Sequence, residues 1–176
     1  LYDRSHFLTV VSSEERVVYT GVLSSLSRSL KGMAMNQLAE CVLEPSSVEP
    51  DLFAAYVTAL SKLNIATNVA EEDRTFLQFT LDVLTELGFG INSLHCERCG
   101  AALDKNVHFS MRDNAFHCSP CATTETDIVL SPGLVSFLRT GEGSIDARRT
   151  LMGIALTLRL LRSAAGKLAV TQAFEQ

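Results

Sequence analysis

The sequence predicts a mainly α fold, a helical bundle interrupted once by a small inserted module built on a β-hairpin. Three observations predict it. Apolar residues recur at three- and four-residue spacing through several long segments. Two C-x2-C pairs stand within 26 residues of each other, at 96–121. Elsewhere only Phe7–Val11 (FLTVV), apolar and β-branched, reads as a strand.

In order along the chain, Ser12 or Ser13 is placed to cap a helix, with Glu14 and Glu15 in its first turn where the helix dipole favours anions. From Arg16 to Leu43 the apolar positions Val18, Val22, Leu26, Leu30, Met35, Leu38, Cys41 and Val42 form a helical stripe. Gly21 and Gly32 are expected to break it into pieces. Pro45 and Pro50 bracket a turn, and Pro50 suits the first turn of the next helix. That helix carries Leu52, Phe53, Tyr56, Val57, Leu60 and Leu63 on one face. The following one starts near Glu71, buries Phe76, Leu77, Thr80, Leu81, Leu84 and Leu87, and stops at Gly88. After the cysteine module, Ser131-Pro132 starts a short helix through Leu138. A Gly141-Glu-Gly143 loop leads to a last helix over Asp146–Ala164. The boundaries are therefore 1–11, a strand piece; 12–93, the first helical part; 94–122, the insertion; and 123–176, the last helical part.

The composition is globular: 47% of 176 residues are hydrophobic and 20% charged, which excludes disorder and collagen. No apolar run approaches the roughly 20 residues of a membrane span, and the start shows no signal-peptide pattern. The chain begins at Leu1 rather than Met and is treated as a fragment of a longer protein. Net charge is −5, distributed unevenly. Leu1–Ser93 holds 12 acids and 6 bases, whereas Gly141–Gln176 holds 5 bases and 3 acids. Any contact with a polyanion is expected in the C-terminal part.

The inserted module reads Cys96-Glu-Arg-Cys99, then 18 residues opening with Gly100, then Cys118-Ser-Pro-Cys121. Two residues between cysteines let both sulfurs point to one side of a tight turn, and Gly100 permits the positive φ such a turn needs. Two such knuckles brought together by a hairpin give four thiolates, a set that suits Zn²⁺ in tetrahedral geometry. Val107–Met111 alternates as one strand, and Phe116-His117 leads back to the second knuckle. With all four positions filled by protein, the expected role is structural. The alternatives are a redox dithiol, which would need only one C-x-x-C at a helix start in a βαβ setting, and an iron–sulfur cluster.

Other chemistry is sparse. His95 and His117 each precede a ligand cysteine and are read as non-ligands, His108 as exposed, and His6 as structural or solvated. Cys41 is read as a buried, inert thiol. The acid pairs at helix starts are explained by the dipole, and no phosphate loop or nucleophile elbow is present, so no enzyme is expected. On the last helix, Arg148, Arg159 and Arg162 fall within about 60° of one another, with Arg149 and Lys167 nearby. This ridge reads either as a phosphate-binding surface or as a solvated stripe on a largely buried helix.

The segment Leu84-Thr-Glu-Leu-Gly-Phe-Gly-Ile-Asn-Ser-Leu-His-Cys-Glu-Arg-Cys-Gly100 resembles the RecO family of bacterial DNA repair proteins. The hairpin with Phe109-Ser, the second C-x-x-C and the Ser131-Pro132 helix start continue the likeness, which covers about residues 5–165. Gly166–Gln176 departs from it by lacking a lysine-serine motif. The resemblance implies an N-terminal oligonucleotide-binding (OB) barrel whose last strand is residues 1–11, then a helical domain with a zinc ribbon. It also implies a recombination mediator that binds single- and double-stranded DNA, pairs with RecR and binds the acidic tail of single-strand DNA-binding protein. Such a protein anneals strands and assists RecA loading, in the bacterial cytoplasm at the nucleoid, with one structural zinc and no other cofactor. The competing expectation is a zinc-ribbon module that binds protein and not DNA.

Overall fold

The computed structural model describes residues 2–4, 7–9, 12, 14, 17–42, 49–91, 94–103, 106–123 and 127–174. For 2–4, 7–9 and 165–174 it describes the backbone alone. Strands β1 (Tyr2–Arg4) and β2 (Phe7–Thr9) pair antiparallel, Asp3 opposite Leu8. Helices α1 (Leu26–Val42), α2 (Pro50–Ile65) and α3 (Val69–Glu86) follow. Then come β3 (His108–Ser110), β4 (Ala115–His117) and β5 (Asp127–Val129), a three-stranded antiparallel sheet in the order β4-β3-β5. Helices α4 (Pro132–Thr140) and α5 (Ala147–Phe174) close the chain. The fold is mainly α with a small sheet beside the cysteines, as expected. The third strand was not expected: three residues are too few to show an alternation.

Helix α3 is the centre of the bundle, packed against α1, α2 and α5. Its start lies two residues before the expected one, because Asn68 caps it by accepting from the Glu71 amide at 3.0 Å. Glu71 in turn accepts from the Thr67 amide and hydroxyl at 2.7 and 3.0 Å. Phe76, Leu77, Phe79, Thr80, Leu81, Val83 and Leu84 are buried along its length. Leu77 meets α5 at Gly153, where a Cβ would lie 2.8 Å from Leu77 Cδ2. That glycine sets how closely the two helices cross. Beside it, the Thr80 and Thr157 hydroxyls bond at 2.8 Å, and each also lies within hydrogen-bond reach of a carbonyl of its own helix, Leu77 O and Ile154 O; one hydroxyl donates to the other, which donates to its carbonyl, so neither is orphaned.

Several expectations need correction. No helix begins at Ser12: Ser12, Glu14 and residues 17–19 are irregular. A 3-10 turn at Val22–Ser24 replaces it, because the Gly21 amide bonds Asn64 Oδ1 at 2.7 Å instead of a carbonyl one helical turn back. Gly32 does not break a helix. It lies inside α1, where a Cβ would sit 3.0 Å from Val22 Cγ1, so the glycine is needed for the 3-10 turn to approach. The apolar stripe of α1 is only partly inward: Leu26 and Leu30 are 75% and 55% exposed, while Gly32, Met35 and Ala39 face the core. Phe53 and Cys41 are likewise exposed, against expectation. The last helix runs ten residues beyond Ala164. Pro45, His6, Ser13, Glu15 and Arg16 lie outside the described residues.

Candidate metal centre

The centre is built on the exit of α3. Gly88, at φ 77°, ends that helix with paired bonds from the Phe89 amide to Leu84 O and from the Gly88 amide to Thr85 O. Ile91 and Leu94 then bury themselves and carry the chain to the first knuckle. There the Gly100 amide bonds Cys96 O at 2.7 Å and the Cys96 amide bonds Ala101 O at 2.8 Å, with Gly100 at φ 71° as its turn requires. The second knuckle repeats the device, with the Cys121 and Ala122 amides both bonding Cys118 O. A bond from the Glu97 amide to Phe116 O, 3.0 Å, joins the two.

These turns bring one sulfur from each of Cys96, Cys99, Cys118 and Cys121 within 4.8 Å of one another. Sulfurs at the corners of a tetrahedron around Zn²⁺ stand roughly 3.8 Å apart, and Cys99 Sγ and Cys118 Sγ are 3.6 Å apart. The four thiols therefore fit a metal ion both in donor chemistry and in spacing. The thiols of Cys96 and Cys121 differ in acidity. Burial pushes the Cys96 thiol up, but the backbone amides of Cys118, Cys99 and Arg98 aimed at its sulfur outweigh that and lower it to about 6. Hydrogen bonds with the Cys118 and Cys99 sulfurs push Cys121 up to about 12. Three amides converging on one buried sulfur favour a thiolate, the form a metal ligand takes.

Side chains around the cluster brace it. Arg98, between the two cysteines of the first knuckle, donates to Cys121 O at 2.8 Å and to Asp113 at 3.2 Å. His117 is 1% exposed and donates from Nδ1 to the buried Asp127 carboxylate at 3.2 Å. Neither His117 nor the exposed His95 belongs to the sulfur cluster. His108 is half-buried and bonds Ser119 Oγ at 3.2 Å. Sequence reasoning missed Asp127: the acid lies past the last cysteine, and nothing in its local pattern marks it.

The five basic candidates fare differently. Arg148, Arg149, Arg159 and Arg162 are all exposed. Arg149 is held at the start of α5 by Asp146, at 2.7 Å. Arg159 donates to Met111 O and Asn114 Oδ1, so it clamps α5 onto the β3–β4 turn of the ribbon. Arg148 and Arg162 bond no described side chain. Lys167 falls where the side chains of α5 lie outside the described residues. The helix is less buried than expected: Leu151 is 55% exposed and Leu158 shares that surface, whereas Thr150, Leu156, Thr157, Leu161 and Ala164 face inward. The arginines thus sit on a mixed basic and apolar face. Among the described residues no helix is long and apolar enough to cross a membrane.

Residues 23–148, from the 3-10 turn to the first turn of α5 and including both knuckles, match the family described as Recombination protein O C terminal. The chain belongs to that family. It is 32% identical over 82 residues to the DNA repair protein RecO of Mannheimia succiniciproducens, a segment that is 47% of this chain and 35% of that protein. It is 33% identical over 82 residues to RecO of Pasteurella multocida (47% and 33%), and 31% over 81 residues to RecO of Vibrio cholerae (46% and 32%). The matches thus span about a third of the length of these relatives. The resemblance read from Leu84–Gly100 is confirmed at the level of the family.

Proposed function

We propose that this chain is the helical and zinc-ribbon part of a RecO-type recombination mediator in DNA repair, a binding protein without turnover. The observation that carries the reading is a four-thiol cluster, spaced for a metal, inside a helical domain that the family match spans. In this reading Cys96, Cys99, Cys118 and Cys121 hold one structural Zn²⁺, which fixes a loop with little core of its own. The ribbon at 94–122 is an insertion between the helical parts 12–93 and 123–176, and within residues 1–11 the paired strands β1 and β2, rather than one strand, are the end of an OB barrel. DNA, RecR and the acidic tail of single-strand DNA-binding protein are the partners, and the cytoplasm of a bacterium is the place. Arg148 and Arg162, exposed and bonded to no described side chain, are the first candidates for DNA phosphates, with Arg149, Arg159 and Lys167 behind them.

Metal analysis of the purified chain tests the first step, with about one zinc per chain expected. Titration of a labelled acidic tail peptide tests the second, with saturable binding that weakens with salt. A correctly folded chain that carries no metal, or that ignores the peptide at low salt, overturns the corresponding step. A second reading, a ribbon module that binds protein and not DNA, is favoured by the engagement of Arg149 and Arg159 within the fold. DNA binding by the full-length protein that is indifferent to Arg148 and Arg162 would select it.

A further inference from the structure

We propose that Asp127 is a positioning residue for the metal centre, and that the metal module extends beyond the second C-x-x-C to include β5. The inference rests on the reading of the four cysteines as a zinc site.

The second knuckle is held on both flanks by one carboxylate. On the near side, His117 immediately precedes the ligand Cys118, and its Nδ1 donates to Asp127 Oδ2 at 3.2 Å. On the far side, Thr123 stands two residues past the ligand Cys121. Its amide donates to the same oxygen at 2.9 Å, and its hydroxyl to Oδ1 at 3.3 Å. Asp127 returns the contact through its own amide, bonded to Thr123 O at 3.0 Å. The side chains of His117 and Asp127 are 1% and 0% exposed. Burying a carboxylate is costly unless its oxygens are satisfied, and these oxygens are satisfied by the two residues that bracket the ligands. The carboxylate is thus placed to fix the conformation of the knuckle before the metal arrives.

Asp127 also belongs to β5, and β5 leads into the bundle. Ser110 of β3 pairs with Asp127, and the amide of the buried Leu130 bonds Val107 O at 2.8 Å. Ser131 then caps α4 by accepting from the Leu134 amide. One residue therefore ties the metal ligands to the strand that joins the ribbon to the last helical part. Residues that orient metal ligands from outside the coordination sphere alter metal affinity by about 10- to 100-fold when removed.

The test is zinc affinity, measured by competition with a chromophoric chelator, for the wild-type chain, Asp127→Ala, Asp127→Asn and Thr123→Val. Asp127→Ala is expected to weaken zinc binding about tenfold or more. Asp127→Asn keeps one acceptor oxygen for His117 and the Thr123 amide and should fall between, as should Thr123→Val, which removes only the hydroxyl. Thermal melting in excess chelator supplies the control, because the helical core is built by α3 against α1, α2 and α5 and its transition should be alike in all four. An Asp127→Ala chain that binds zinc within twofold of wild type overturns the inference, as does one whose melting falls equally with and without chelator. If Asp127→Ala does not fold, the other two variants decide by the same criterion. A wild-type chain that binds no zinc fails the metal reading itself, an outcome distinct from either.

Discussion

At the residue scale, one tightly constrained charge among the described residues is Glu72, 3% exposed near the start of α3. Ser27 donates to it at 2.6 Å, Arg28 at 3.0 Å and Lys31 at 3.0 Å, and Lys31 also reaches Asp73 at 2.7 Å. Burial pushes the Glu72 carboxyl up, but these donors and the charge of Lys31 outweigh it and hold the group at about 2, against an ordinary 4.5. A carboxyl depressed by folding contributes stability that is fully present above its unfolded value and is lost as protons bind. The chain is therefore expected to hold its melting temperature above about pH 4.5 and to lose it as pH falls toward 2, a loss Glu72→Gln should blunt. At neutral pH, Glu72→Ala should destabilise the fold by about 3 kcal/mol, since it leaves the part-buried Arg28 without its carboxylate and Lys31 with Asp73 alone. Denaturant melts at pH 7 and pH 3 check both. The cysteines belong to the same scale. Cys99→Ser should abolish stoichiometric zinc and loosen 94–122 while far-UV circular dichroism keeps most of its helical signal, because α3 packs directly on α1, α2 and α5.

At the element scale, the decisive contact is the crossing of α3 and α5. At Gly153 a side chain would meet Leu77 at 2.8 Å and Leu134 at 3.3 Å. Both neighbours are flexible side-chain ends, so they give way in part. Gly153→Val is expected to destabilise by about 2 kcal/mol, the cost of an overpacked core, measured as a lower denaturant midpoint. Arg159 works across another junction, from α5 to the β3–β4 turn, where Asn114 sits at φ 52°. Arg159→Ala should speed amide exchange in that turn and leave the α3–α5 crossing unchanged. Equal exchange in the two chains would show the clamp to be idle.

At the scale of the whole molecule, the acidic part and the basic ridge set the direction of any nucleic-acid contact. Phosphate contacts carry no base identity, so, on the proposed DNA-binding role, charge reversal at Arg148 and Arg162 should weaken every DNA sequence alike. It should also lower the salt slope by about one unit for each contact removed. Arg149→Ala should matter less, because Asp146 already neutralises it at 2.7 Å. Filter binding across a salt series measures all of this. An unchanged slope would assign the ridge to solvent.

What could be read along the chain is what is local. The four cysteines and Gly100 fix two knuckles, since a two-residue spacing and a positive φ leave little choice of turn. Pro50 and Ser131-Pro132 place their helices, as Gly88 ends another, because caps and breakers act within one helical turn. The mainly α class followed from the same short-range periodicity. Facts that depend on a distant partner emerged only from the folded chain. Gly32 looks like a breaker until Val22 is seen packed on it. Leu26, Leu30 and Phe53 look like core, yet a helical stripe becomes core only where another element covers it. Arg159 looks like its neighbours on the ridge until the turn at Asn114, forty-five residues away, accepts its guanidinium. Asp127 carries no signal of its own, because its importance comes from His117 and Thr123 closing around it. Spacing along a chain specifies torsions and caps; which faces are covered, and which charges are satisfied, is settled only when elements far apart in sequence meet.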